Sequence, residues 1–140
     1  MRGVVLNNLT DLVQADVGDA DLRDASMLDT VLCEATLSRA SLRGAVLQFA
    51  GLRGAALDET YLRDANLGGC DMRHVKLNKA DLSGAILSDA DCRRADLSGA
   101  KLTGATLHGT DLSYANLRDA DLQNVQLHCA NLANSRFSEG

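Results

Sequence analysis

The chain has no proline and no tryptophan, and two tyrosines and two phenylalanines are its whole aromatic content. With 46% of the 140 residues hydrophobic but only 3% aromatic, the core must be built from aliphatic side chains and alanine. No apolar run approaches the roughly 18 residues of a membrane-spanning helix. The first ten residues also lack the charged, apolar and small-residue succession of a secretory signal, so a cytoplasmic protein with no membrane association is expected. Nor is there an excess of positive charge. Fourteen Lys and Arg against nineteen Asp and Glu leave a net charge of −5, which supplies no surplus cations to displace counterions and argues against direct nucleic-acid binding. Cys33, Cys70, Cys92 and Cys129 have no paired spacing and are too sparse for a disulfide framework, so free thiols are expected. A phosphate-binding glycine loop, a nucleophile elbow and a catalytic carboxylate pair are all missing, and a non-enzyme without a cofactor is expected. Asn8-Leu9-Thr10 matches the glycosylation triplet, but without a secretory route the match carries no function.

What the chain does have is a period of five. From Leu12 to Phe137 there are 26 positions spaced by five, of which 21 are Leu and the rest Val17, Met27, Met72, Cys92 and Phe137. Two residues before each centre stands a small residue, Ala in 18 cases and otherwise Thr, Val, Cys or Ser. Ala80-Asp81-Leu82-Ser83-Gly84 and Ala95-Asp96-Leu97-Ser98-Gly99 show the pattern. An α-helix cannot use it, because five residues at about 100° each advance about 140° and spread the leucines around every side. A continuous strand cannot use it either, because an odd repeat sends successive leucines to opposite faces. The chain must corner every five residues. The small, polar, Leu triplet reads as inward, outward, inward, a three-residue strand, and the next two residues make a turn. The second turn residue is Gly, Asn or Asp at 15 of 26 positions, the chemistry of a type II or related turn with positive φ.

These residues resemble the pentapeptide-repeat family, whose motif is a small residue, often Asp or Asn, then Leu and two variable residues. The resemblance runs without a slip from residue 10 to residue 139. It implies an all-β fold: a right-handed quadrilateral parallel β-helix with one pentapeptide per side and 20 residues per coil. Twenty-six repeats then make about 6.5 coils and a rod of roughly 31 Å. Hexapeptide helices are excluded by the period, and an ice-binding Thr ladder by Thr36, Thr103, Thr106 and Thr110 not falling 20 apart. The predicted domains are a cap segment over residues 1–9, in which Val4, Leu6 and Leu9 fold over the first coil, and a β-helix over 10–140.

If residues 20 apart stack, function lies in the outward columns, since a narrow filled coil offers no pocket. Arg53, Arg73 and Arg93 form one column beside Asp71, Asp91 and Asp111; Arg23, Arg43 and Arg63 form another, flanked by Asp24 and Asp64. These read either as mutually neutralising surface ladders or as a site for an anion or acidic partner. The side centred on Met27, Leu47, Leu67, Leu87, Leu107 and Leu127 carries Leu28, Val46, Phe49 and Ile86 outward with few charges, and is the candidate partner face. His108 and His128 stack there next to Cys129, but without an evident fourth ligand no metal site is expected. Cys70 and Cys92 point inward as core-filling thiols. At the C-terminal end Phe137 is a bulkier plug than Leu, and an open terminal coil invites an end-to-end homodimer. The function expected is a protein-binding scaffold or regulatory module. The family resemblance implies an alternative, a DNA mimic that binds type II topoisomerase (gyrase) and protects it from quinolones; interleaved arginines and the missing C-terminal dimerisation module count against it.

Overall fold

The computed structural model describes residues 2–7 and 10–139. Its backbone is a stack of four parallel ladders in which every rung from Asp11 onward joins residues 20 apart. The first face runs Asp11, Val31, Gly51, Asp71, Asp91, Asp111, Asn131; the second Asp16, Thr36, Ala56, Lys76, Asp96, Asn116, Arg136; the third Asp21, Ser41, Tyr61, Asp81, Lys101, Asp121; the fourth Ser26, Val46, Asn66, Ile86, Thr106, Gln126. Each side contributes one bridging residue, so the expected three-residue strand contracts to a single rung between corners.

The repeat Ala80-Asp81-Leu82-Ser83-Gly84 shows why these residues suit this path. Asp81 N–H donates back one coil to Thr60 O at 2.9 Å, while Leu82 and Gly84 donate forward to Lys101 O at 2.7 Å and Thr103 O at 3.0 Å. Ala80 N–H closes the preceding turn onto Leu77 O at 3.0 Å. That leaves Ser83 N–H with no backbone acceptor, and the Asp81 carboxylate accepts it at 3.1 Å. The same Asx contact recurs from Asp16, Asn66, Asp71, Asp91 and Asp111. This is the physical reason for Asp or Asn immediately before the central Leu: the side chain satisfies the one main-chain donor that the coil does not.

The second corner residue has positive φ throughout, from Gln14 to Asn134, between 55° and 69°. The conformation is imposed by the coil and not by glycine alone, since Glu34, Arg39, Phe49, Glu59, His74, Lys79 and Tyr114 all adopt it. Inside, the leucines and alanines from Leu22 to Leu117 are essentially sealed from water. Each buried Leu contributes roughly 1.5–3 kcal/mol, and the alanines let the walls close to contact distance. Where a larger small residue stands, its polar atom is satisfied: Thr60 and Thr110 hydroxyls donate to Leu37 O at 3.0 Å and Leu87 O at 2.7 Å. Cys92 lies 3.9 Å from the Met72 sulfur, the longer side chain filling what the shorter leaves.

At the N-terminal end Val5 pairs with Ser26, 21 residues on, so residues 2–7 add a rung to the fourth face one residue out of the common register. Val4 and Leu6 pack on the core there; Leu9 and Asn8, and with them the cap contact of Leu9 and the glycosylation triplet, lie outside the described residues. At the other end Phe137, expected as a plug, is 44% exposed and Leu127 is exposed as well, so the last coil is less sealed than the middle.

Candidate interaction surface

Because the interior is filled, everything along the sides of the coil that can meet another molecule stands at the bridging position or at the two corner positions of each repeat. On the fourth face the bridging column is joined by the corner columns Leu28, Gln48, Gly68, Ser88, His108, His128 and Asp29, Phe49, Gly69, Asp89, Gly109, Cys129. Only Asp29 and Asp89 among these bear a full charge. Val46 and Ile86 occupy one ladder two coils apart, with Asn66 between them turned to accept its own Gly68 N–H at 3.1 Å. Phe49 stands at the corner of the Val46 coil, 62% exposed, and Ile86 is 42% exposed. Leu28 lies at the N-terminal edge of the face, half-buried, with its N–H donating to the Asn7 side chain at 2.9 Å.

The first face is charged but internally compensated. Arg73 forks onto Asp71 at 2.8 and 2.6 Å, Arg93 onto Asp91 at 2.8 and 2.7 Å, and Arg73 also reaches Asp91 at 3.7 Å. The bidentate arginines hold the Asp71 and Asp91 carboxyls below the usual carboxylate range. Arg53 has Gly51 where the others have an aspartate, and among the described residues it makes no ion pair. Asp111 lacks an arginine and accepts from Ser113 N–H and the Asn131 amide. On the third face Arg23 forks onto Asp21, and Arg63 lies 3.7 Å from Asp64.

Two exposed aromatics escaped the reading by columns. Tyr61 stands in the third ladder, and Tyr114, 57% exposed, sits at a corner of the first face with the Arg94 guanidinium 5.7 Å from its ring centre. Arg94 and Tyr114 are 20 apart, so the signal was present in the sequence. With Arg73, His74, Arg93, Asp111 and Ser113 they line a shallow depression of about 430 Å³. The buried thiols offer no reactive alternative: Cys70 donates to Leu47 O at 2.9 Å and burial pushes it up to about 12, and burial raises Cys92 as well.

Among curated proteins no sequence matches the chain. Among solved structures it is similar to a pentapeptide repeat protein from the Arabidopsis thaliana thylakoid lumen, with 28% identity and a TM-score of 0.65 over 67% of this chain and 66% of that one. The chain thus spans just under two thirds of that protein. It is also similar to a pentapeptide repeat protein from Nostoc PCC 7120, at 38% identity over 61% of this chain and 75% of that one, with a TM-score of 0.33. HetL, a pentapeptide repeat protein involved in heterocyst differentiation regulation from Nostoc sp. strain PCC 7120, is 28% identical over 96% of this chain and 85% of that one, with a TM-score of 0.31. The model of the family described as pentapeptide repeats matches in overlapping segments that together run from residue 10 to residue 139, the span over which the ladders hold their 20-residue register, and the chain belongs to that family.

Proposed function

We propose that the chain is a non-enzymatic scaffold or regulatory module that presents a rigid solenoid face to a protein partner, and that the fourth face is the contact surface. The observation that carries this reading is the contrast between faces: Phe49 and Ile86 are exposed and Val46 is half-buried on a side almost free of charge, whereas the first face is interleaved with bidentate Asp–Arg pairs. Exposed aromatic and branched side chains on a rigid support are the common anchors of protein interfaces, because little conformational entropy is lost when they are buried. On this reading the rod has about 6.5 coils and a length of about 31 Å, with Leu28 at one edge of the contact and the Arg53, Arg73 and Arg93 column on the adjoining first face. An end-to-end homodimer through the last coil is part of the same proposal, since the N–H groups of Leu122 and Leu127 make no backbone bond among the described residues.

The test is recovery of a specific partner on immobilised chain, compared with Phe49→Ser. Loss of that partner supports the fourth face; equal recovery removes it. The DNA-mimic alternative is examined by a gyrase supercoiling assay. The Arg73–Asp71 and Arg93–Asp91 pairs break up the anionic surface such mimicry needs, so no inhibition is expected. Inhibition at micromolar chain would replace the scaffold reading.

A further inference from the structure

Two of the three histidines in the chain stand one coil apart on the fourth face, and an exposed cysteine is next to the second of them. The rings of His108 and His128 have centroids 4.6 Å apart, inclined by 47°, so they are not stacked flat. A nitrogen of each and the Cys129 sulfur all lie within 4.8 Å of one another. Tetrahedral coordination at about 2.0–2.1 Å for nitrogen and about 2.3 Å for sulfur puts such donors about 3.3–3.6 Å apart. All three side chains are exposed, so side-chain rotation can bring the donors to that spacing.

We propose that His108, His128 and Cys129 form a binding site for a borderline-soft divalent cation of the Zn²⁺ type, held by three protein donors within one chain and completed by water. Two imidazoles and one thiolate suit Zn²⁺ and its neighbours and do not suit Ca²⁺ or Mg²⁺, which take oxygen ligands. On binding, the Cys129 thiol gives its proton to solvent, and the site of one thiolate and two neutral imidazoles carries one net positive charge with the ion in place. The corner column supplies compensation. Gly109 lies between Asp89 and Cys129, and the Asp89 carboxylate leans into the space where a Gly109 side chain would stand. A cation at Cys129 therefore has a carboxylate one step along the column. The rigid ladder supplies the rest: the rungs Ile86–Thr106 and Thr106–Gln126 fix the two histidine-bearing corners one coil apart before any ion arrives. Stacking residues 20 apart already groups these three donors in the sequence, but no structural zinc spacing marks them, because His108 lies 20 and 21 residues from the adjacent pair His128-Cys129.

The experiment titrates the full chain, kept reduced, with Co²⁺ as spectroscopic probe and then with Zn²⁺ as competitor. The expected result is one equivalent of Co²⁺ per chain, with a sulfur-to-cobalt charge-transfer band and the intense visible absorption of a tetrahedral ion, both abolished by Zn²⁺. Cys129→Ser removes the charge-transfer band. Outer partners alone are worth about 10–100-fold in affinity, so His108→Ala and His128→Ala should each weaken binding by at least about tenfold. His74→Ala and Cys33→Ser, on another face, leave binding unchanged, and circular dichroism shows the surface variants folded. The assignment is overturned by the weak spectrum of an octahedral ion, by an affinity left unchanged in His128→Ala, or by one ion shared between two chains.

Discussion

The ring of Phe49 fills the space in which Gly69, one coil further on, would carry a side chain: a Cβ built on Gly69 would stand 2.5 Å from Cε1 and 2.6 Å from Cδ1. The same relation recurs with aspartates, Asp24 over Gly44 at 2.9 Å and Asp64 over Gly84 at 2.6 Å. Glycine at these corners therefore serves twice, as a residue free to take positive φ and as a gap for the side chain leaning from the preceding coil.

Two glycine substitutions separate those roles. Gly104 has φ of 69° with nothing within 4 Å of its missing Cβ, and Gly69 has nearly the same φ with the Phe49 ring in the way. Gly104→Ala should cost only the backbone term, about 1–2 kcal/mol. Gly69→Ala should cost measurably more and expel the ring. Urea unfolding of the two variants checks this; equal losses would show that Phe49 does not lie over Gly69.

Glu59 is an exposed corner residue at φ of 57°. Relief of left-handed strain by Glu59→Gly exceeds the extra entropy of glycine in the unfolded chain, and a gain of about 0.5–1 kcal/mol is expected. Glu59→Val, branched at Cβ, should lose stability at the same site. Thermal melting of the pair decides the sign.

Leu62 is sealed inside the coil with no exposed surface. Leu62→Ala should lose about 2–5 kcal/mol through the cavity it leaves. Leu82→Lys, which puts a charge on the same axis, should unfold the coils around it, while Ser83→Lys next door should leave the midpoint nearly unchanged. An unchanged midpoint for Leu82→Lys would place Leu82 outside the core.

The paired carboxylates set the acid limit. Arg73 and Arg93 depress Asp71 and Asp91 in the folded chain, so their contribution is complete above the unfolded value of about 4 and is lost as pH falls through the folded one. The melting midpoint should hold from pH 7 to about 5 and drop below about 4. A chain with Arg73→Gln and Arg93→Gln should show a smaller acid drop, and an identical one would detach these pairs from the acid response.

Four sides per coil entered only through the family resemblance, but the cornering backbone and its buried column are legible in the spacing of Leu12, Val17, Leu22 and their successors, because a five-residue period must turn to bury every fifth side chain. The Asx role of Asp81 and its equivalents was not, since it depends on knowing which N–H the coil leaves over. Gln14, Arg39 and Tyr114 in the left-handed region were likewise invisible: their residue types favour right-handed backbone, and the stacked coils override that preference. The outward columns were legible once residues 20 apart were stacked, which placed Val46 and Ile86 on one face. The columns offered mutually neutralising Asp and Arg ladders, and Arg73 and Arg93 do turn onto Asp71 and Asp91; the reading did not separate out Arg53, which stands beside Gly51 and makes no such pair, and it missed Arg94 over Tyr114. Nor did it foresee the rung at Val5, because one residue out of register breaks the sequence pattern while leaving the backbone pairing intact.

Everything rests on residues 20 apart being neighbours across adjacent coils. Ala56 and Lys76 form one rung of the second ladder, and Asp71, 15 residues from Ala56, belongs to the first. In a background lacking Cys33 and Cys129, mild oxidation of Ala56→Cys with Lys76→Cys should give an intramolecular disulfide, since adjacent rungs at about 4.8 Å fall within bridging distance. Ala56→Cys with Asp71→Cys should stay reduced. Cross-linking of the second pair in preference to the first would contradict the four-sided coil and every face assigned from it.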